Sequence, residues 1–505
     1  MGAGLDLTRV ALKHRRTRIV ATVGPASSSP AVLGELVAAG VDVFRLNFSH
    51  GSHETHAAAY RAIRAASDAV ERPVAVLADL CGPKIRVGRF EHGSVELEED
   101  AAVVITTRPT WGGVREDGTI VIPSEYEPLA RDLRARDRVL LADGALQLEV
   151  VESDGEHDIR CRVVYGGTLG DRKGMNLPGV PLSTPSLTEK DRDDAAFAAS
   201  LGVDFMALSF VRSAEDIEEL RAVLREYDAP PAIVAKIEKP EALHDIDRIL
   251  QATDAVMVAR GDLGVELPAE EVPIIQQELV AAAVLANRPV IVATQMLESM
   301  IDSPRPTRAE VSDVAWAAAS GADAVMLSAE TAAGRYPALA VQTMDRVLRL
   351  VEGWQWRHGQ FRSLERLRQD GRNPVDRALS RATAGLSRDL RVRAIVVPTS
   401  TGRTAKAVSA QRPAAPIVPL CVNRTVWRQL SLYWGTSPRM ADAEALQRPP
   451  EVALGIVDEL GIAPPGSHFL LVWDTAWGRD SWAPTVSVME VPPDPATPLD
   501  DDDIL

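Results

Sequence analysis

The sequence predicts an α/β protein: a (β/α)8 TIM barrel with an inserted all-β domain and a C-terminal α/β domain. Three observations carry that prediction. Short runs rich in Val, Ala and Ile recur eight times between longer amphipathic stretches; the runs are apolar throughout; and one segment of alternating pattern interrupts them between the third and the fourth. The runs cover residues 18–23, 41–48, 74–78, 203–210, 232–237, 255–259, 290–293 and 324–327. Strands without polar alternation are covered on both faces, as in parallel sheets, and eight of them with intervening helices close a barrel. Residues 88–182 instead alternate with period two, for example over 94–97 and 139–151, with turn signals at Asp117-Gly118, Asp143-Gly144 and Asp154-Gly155. Its place in the order hangs this insert at the C-terminal ends of the strands, where βα loops build active sites and an inserted domain can act as a lid. After Tyr336 a helical pattern passes Trp354 and Trp356, an Arg/Gln-rich piece covers 360–372, and βα alternation resumes at 394–397 and 417–421. The expected division is 1–87 and 183–355 for the two parts of the barrel, 88–182 for the insert and 356–505 for the last domain, with the acidic run 500–503 as a solvated tail.

Composition narrows the function. A chain of 505 residues suggests about three domains. Its 55 basic and 71 acidic residues leave a net charge of −16, which argues against nucleic acid as a partner. No apolar run approaches the roughly 20 residues that span a bilayer, and the first 18 residues lack the apolar core of a secretion signal, so neither membrane nor export is expected. Cys81, Cys161 and Cys421 lie far apart and form no metal or disulfide motif, which fits a cytoplasmic protein. Seven lysines stand against 48 arginines, which makes each lysine worth inspecting, because an ammonium and a guanidinium are not interchangeable where a point charge is required.

Polar residues cluster where the apolar runs end. The second run is followed by Arg45, Asn47, Ser49 and His50, the third by Asp79, the fourth by Ser209 and the fifth by Lys236 and Glu238; the sixth leads to Arg260 and Asp262, the seventh to Thr294 and Gln295, the eighth to Ser328 and Glu330. In a barrel these positions share one face. Glu238 and Asp262 are hard carboxylate donors from adjacent strands and suit Mg²⁺, for which Mn²⁺ could substitute, with water and substrate oxygens completing the shell. Arg45 and Lys236 are cationic partners for phosphoryl oxygens. The stretch 259–264 (ARGDLG) has glycines that would let backbone N–H groups approach an anion.

The motifs as a set resemble pyruvate kinase over nearly the whole chain: 17–27 (TRIVATVGPAS), 43–51 (VFRLNFSHG), 82–86 (GPKIR), 173–179 (KGMNLPG), 234–238 (VAKIE), 257–266 (MVARGDLGVE), 293–300 (ATQMLESM), 305–314 (RPTRAEVSDV) and 325–331 (VMLSAET). The resemblance implies a β lid, a regulatory C-terminal domain, and phosphoryl transfer from phosphoenolpyruvate to ADP followed by protonation of the enolate. It implies that Glu238 and Asp262 hold Mg²⁺, Lys236 stabilises the transferring group and Arg45 binds substrate phosphate. By the same likeness Gly261, Asp262 and Thr294 bind substrate, and Thr294 and Ser328 lie near the proton transfer, acting through water because a hydroxyl is a weak acid. Asn47, His50, Arg86 and Lys173 are the implied nucleotide contacts, and Asp143 a lid residue that reaches the site on closure.

One departure bears on the cation requirement. Family members that need potassium usually carry an acid where this chain has Lys84, and Thr-Lys where it has Leu80-Cys81. Asn47, Ser49, Asp79 and the Leu80 carbonyl match the remaining ligands, and an ammonium at Lys84 would stand in for potassium, so potassium is not expected to be required. Thr399, Ser400, Thr401, Gly402, Arg403 and Thr404 form a strand-to-helix loop suited to the phosphate of a sugar-phosphate or nucleotide effector, with 477–479 resembling the loop that closes on it. A homotetramer is implied, although Trp316 stands where a small polar residue is usual at the interface segment, and Ala329 replaces a common glycine. The alternatives are another barrel enzyme acting on a phosphorylated enol or ketoacid, which would not need Arg86 and Lys173, and a non-catalytic sensor, which would have lost Lys236, Glu238 or Asp262.

Overall fold

The barrel strands are Arg18–Val23, Val43–Asn47, Ala75–Asp79, Phe205–Leu208, Ala232–Ile237, Ala255–Ala259, Val290–Ala293 and Ala324–Leu327. They close into one ring in which each strand pairs in parallel with its sequence neighbours among the eight. The structure is a computed structural model and describes residues 12–358, 374–474 and 484–492. The acidic run 500–503, the piece 360–372 and the 477–479 loop lie outside the described residues.

Both faces of each strand are apolar because both are covered. Val20, Val43, Ala75, Leu77, Phe205 and Val234 belong to one buried cluster, and their neighbours Ile19, Phe44, Val76, Ala78, Met206 and Ala235 to another, packed under the helices. The helices begin at hydrogen-bonded caps: Ser52, Thr188 and Thr307 each close a capping box.

At the N-terminal end of the barrel four aspartates repeat one arrangement. Asp42, Asp204, Asp254 and Asp323 each stand immediately before an even-numbered strand. Their carboxylates accept the N–H of Ile19, Val76, Ile233 and Val290 on the neighbouring odd-numbered strands, at 2.8–3.1 Å. Each also meets an arginine: Arg15, Arg64, Arg221 and Arg412 respectively.

The insert has its own core and two sheets, of seven and two strands. It departs from the all-β expectation by one short helix, Leu129–Asp132, which carries Leu129 and Ala130 into that core. The alternating run at 139–151 is a hairpin of Arg138–Leu141 and Leu146–Ser153. Ala142, Asp143 and Gly144 turn it through positive φ, 51°, 57° and 87°.

The C-terminal sheet orders Arg439–Met440, Ile417–Cys421, Ile395–Thr399, His468–Asp474 and Pro484–Glu490, with the last pair antiparallel. This domain docks on the N-terminal end of the barrel. Arg412 reaches both carboxylate oxygens of Asp323, at 3.0 and 2.8 Å, and Arg18 donates to the Tyr433 carbonyl at 2.9 Å. The three cysteines are free. Among the described residues no helix is long and apolar enough to cross a membrane.

Arg412→Ala would leave the Asp323 carboxylate buried without its cation. The expected loss is about 3–5 kcal/mol of unfolding free energy, read as a lowered urea midpoint for the docked domains.

Candidate active site at the C-terminal face of the barrel

Parallel closure brings the strand ends together, so residues scattered from 22 to 330 form one site. At its centre Lys236 Nζ lies 2.9 Å from Glu238 Oε1, 3.3 Å from Asp79 Oδ1 and 2.6 Å from Ser209 Oγ. The spacing of two along the chain puts Lys236 and Glu238 on one side, and both are buried. Arg45 Nε donates to Asp79 Oδ2 at 2.6 Å and Arg45 Nη1 to Thr22 Oγ1 at 3.2 Å.

The electrostatics follow from burial and these pairs. Burial disfavours the Lys236 ammonium, but the carboxylates of Asp79 and Glu238 outweigh it and hold its pKa above the usual value. Burial likewise disfavours the Asp79 anion, and Lys236 with Arg45 overcomes this, leaving Asp79 below the ordinary carboxylate range. Glu238 moves the other way: burial raises its pKa, Lys236 only partly opposes, and the Asp262 carboxylate adds repulsion. Glu238 Oε2 accepts the Phe210 N–H at 2.7 Å.

Asp262 lies on the short helix Arg260–Glu266, which follows strand six directly. The Gly261 N–H donates to Thr294 Oγ1 at 2.8 Å, so these two expected substrate contacts face each other. Thr294 and Gln295 have φ of 71° and 54°, which is strained for a β-branched residue. Arg260 holds that turn by donating to the carbonyls of Ala293 and Gln295, both at 3.4 Å, and to that of Thr294, while pairing with Asp313 at 2.7 Å. Ser328 lies beside them at the end of strand eight; its Oγ is buried without a hydrogen-bond partner among the described residues. Its N–H is fixed by Glu330 Oε2 at 2.6 Å.

The structure places Lys84 elsewhere than the monovalent-cation residues. Its Nζ lies 3.7 Å from Asp262 Oδ1. Gly82, at φ 67° and packed against Ser209 and Phe210, turns the chain just before it. Asp79 is instead paired with Arg45 and Lys236, Asn47 Oδ1 accepts the Ser49 N–H at 3.1 Å, and the Leu80 carbonyl accepts from Ser209 Oγ at 2.8 Å.

Arg86 and Lys173 come from the two segments that join the insert to the barrel, which are bonded to each other. Val87 N–H donates to the Lys173 carbonyl and Met175 N–H to that of Ile85, both at 2.9 Å. Arg86 Nη1 donates to the Arg172 carbonyl at 3.1 Å, and the Lys173 side chain is exposed, as is that of His50. The lid turn reaches the barrel: a Cβ on Gly144 would lie 3.7 Å from Val265, and one on Gly174 would lie 3.6 Å from Asp143 Oδ1 and 3.5 Å from Lys84 Cε. Sequence reasoning gave no role to Thr22, to the Arg260–Asp313 clamp, or to Lys239. Lys239 Nζ pairs with Glu266 at 2.6 Å, and Glu266 also accepts from Asn176 Nδ2, on the strand that returns from the insert, at 3.5 Å. The scarcity of lysine was the available signal for Lys239.

In the last domain Thr399 ends a strand and Arg403 starts the helix Arg403–Ala410. The Gly402 N–H, at φ 78°, is bonded to Thr399 Oγ1 at 2.8 Å.

Comparison with known proteins matches residues 14–341 to the family "Pyruvate kinase, barrel domain" and residues 377–489 to "Pyruvate kinase, alpha/beta domain". The chain is 44% identical over 462 residues to a pyruvate kinase of Agrobacterium vitis, covering 91% of this chain and 93% of that protein. It is 44% identical to pyruvate kinase 2 of a Synechocystis strain, covering 90% of this chain and 75% of the relative. The crystal structure of a pyruvate kinase from Cryptosporidium parvum superposes with a TM-score of 0.84 at 33% identity, covering 95% of this chain and 96% of that one.

Asp79→Asn removes the counter-charge of Lys236 and Arg45, and a loss of about 3 kcal/mol or more is expected at neutral pH. Because the native Asp79 carboxyl titrates below its unfolded value of about 3.9, its stabilisation is present above that pH and lost as pH falls through the native value. The gap between wild type and variant in urea should therefore be full at pH 7 and close in acid.

Proposed function

The chain belongs to the pyruvate kinase family of phosphotransferases, and from that premise we propose that this barrel face transfers the phosphoryl group of phosphoenolpyruvate to ADP with Mg²⁺, without potassium, under control of a phosphorylated metabolite. The observation that carries the reading is Lys236, a buried ammonium held between Asp79, Glu238 and Ser209 at the mouth of the barrel.

The residues fit a divalent ion. Glu238 and Asp262 are close enough for one carboxylate to disfavour ionisation of the other, a repulsion that a dication relieves. Two hard oxygen donors leave room for the water and substrate oxygens that Mg²⁺ keeps. When bound, Mg²⁺ supplies charge neutralisation on the phosphoryl oxygens.

The chain's own residues do the rest. Arg45, oriented by Asp79 and Thr22, binds the substrate phosphate. Lys236, fixed on three sides, neutralises charge on the group in transfer as its bond to the enol oxygen breaks and a bond to a terminal oxygen of ADP forms; such preorganised charge supplies most of the rate. Gly261 and Thr294 position the substrate carboxylate. The enolate carbon then takes a proton through water; Thr294 Oγ1 is bonded to the Ala293 carbonyl at 2.5 Å, whereas the Ser328 hydroxyl has no such bond among the described residues and orders that water. Asn47, His50, Arg86 and Lys173 bind the nucleotide as the lid closes.

Lys84 supplies a permanent monocation in the cleft, next to Asp262, while Asp79 already has two cations against it. A further monocation would meet repulsion there. The Thr399–Thr404 loop holds the effector phosphate, and the exposed Trp316 lies on a surface available for assembly into a homotetramer.

Pyruvate formation from phosphoenolpyruvate, ADP and Mg²⁺ is expected in buffers with and without potassium. Activity that is negligible until potassium is added overturns the role of Lys84. In Lys84→Glu, potassium-free activity should fall at least about tenfold, equivalent to 1.4 kcal/mol in the barrier. Ser400→Ala with Thr404→Ala should abolish activation by sugar phosphates and leave unactivated turnover unchanged; an unaltered response removes the loop as the effector site.

A further inference from the structure

A second polar cavity lies far from the barrel mouth. It measures about 230 Å³ and is bounded by the segment leading into the barrel, the end of helix Pro337–Arg357 and the C-terminal domain. That is room for a compact organic molecule, since a single water occupies about 30 Å³ of liquid. Its charge is unlike that of the chain. Lys13, His14, Arg16 and Arg393 line it, and among the described residues no Asp or Glu does, in a protein where acids outnumber bases 71 to 55. The rest of the lining is apolar or aromatic, including Trp356, Val392 and Ile462.

Arg16 is the central observation. It is 9% exposed, its Nε has no hydrogen-bond partner among the described residues, and its Nη2 makes one long contact, 3.4 Å, to the Ala414 carbonyl. The carboxylate near it, Glu352, accepts the backbone N–H groups of Arg16 and Thr17, both at 2.7 Å, rather than the guanidinium. Burial, only partly offset by Glu352 and reinforced by Arg18, lowers the Arg16 pKa to about 10. Partial burial and the cations Arg16, Lys13 and Arg349 likewise depress His14. A buried cation without a matched anion is costly, and two more cationic side chains, Lys13 and Arg393, add to it here.

We propose that this cavity binds a small phosphate monoester with a flat or aliphatic body, its phosphate on Arg16, Lys13 and Arg393 and its body against Trp356 and the apolar wall. Guanidinium groups match phosphate oxygens in pairs. The site differs from both places assigned above. Arg16 precedes the first barrel strand, at the end opposite Lys236, and Arg393 precedes the strand whose other end carries Thr399. A ligand here bridges the barrel and the C-terminal domain and stabilises their docking by mass action.

Phenyl phosphate is the probe, titrated by calorimetry and thermal shift into the full-length protein with the barrel site saturated by phosphoenolpyruvate. Saturable binding that weakens with salt is expected, with a raised melting midpoint. Lys13→Ala with Arg393→Ala should weaken it at least about tenfold, 1.4 kcal/mol, with unchanged basal turnover showing an intact fold. Ser400→Ala with Thr404→Ala should bind as wild type, and phenol should not bind. Absence of binding to wild type, or equal affinity in the Lys13/Arg393 variant, overturns the proposal.

Discussion

Three carboxylates, Asp79, Glu238 and Asp262, converge where the barrel strands end, and Lys236 is the group that makes their convergence tolerable. Two of the three are buried, where an isolated anion would cost several kcal/mol. Lys236 answers Asp79 and Glu238 at once, Arg45 answers Asp79 from the other side, and Lys84 stands against Asp262 at the rim. The groups that would handle a phosphoryl transfer are therefore the groups that keep the mouth of the barrel electrically balanced. Their positions are set before substrate arrives, which is what electrostatic catalysis requires.

The strained turn after strand seven is a second constraint on the same face. Thr294 and Gln295 sit at positive φ because Arg260 grips the local carbonyls and is itself fixed by Asp313. The helix that carries Asp262 begins at Arg260, so the clamp on strand seven and the placing of Asp262 are one arrangement. At the far end of that helix, Glu266 meets Lys239 and Asn176, which ties the insert's return strand to the same short element.

Much of this was legible from residue order. Barrel strands are apolar on both faces and so announce themselves, and active-site residues follow them immediately, which is how Arg45, Lys236, Glu238, Thr294 and Ser328 could be picked out. What remained hidden depends on tertiary direction. The glycines of 259–264 gave no sign of a helix, yet Arg260–Glu266 is one, with Leu263 buried and the Gly261 N–H bonded to Thr294 Oγ1. The left-handed turn at Gly82 sends Lys84 toward Asp262 rather than toward Asn47 and Asp79, and nothing in the spacing of 79–84 specifies that. The registry that sets Arg86 opposite Gly174 and Val87 opposite Lys173 joins segments nearly ninety residues apart.

The four aspartates at the opposite end of the barrel act as a hoop around staves. Each stitches an even strand to its odd neighbour and anchors the joint with an arginine. The third strand, from whose far end the lid is hung, is held in this way at Val76 by Asp204. Any load passed down that strand from the insert meets a stitched joint rather than a free end. The ring is thereby secured at the end away from the mouth, so the loops at the mouth can be lengthened or rewritten without asking the barrel to hold itself together anew.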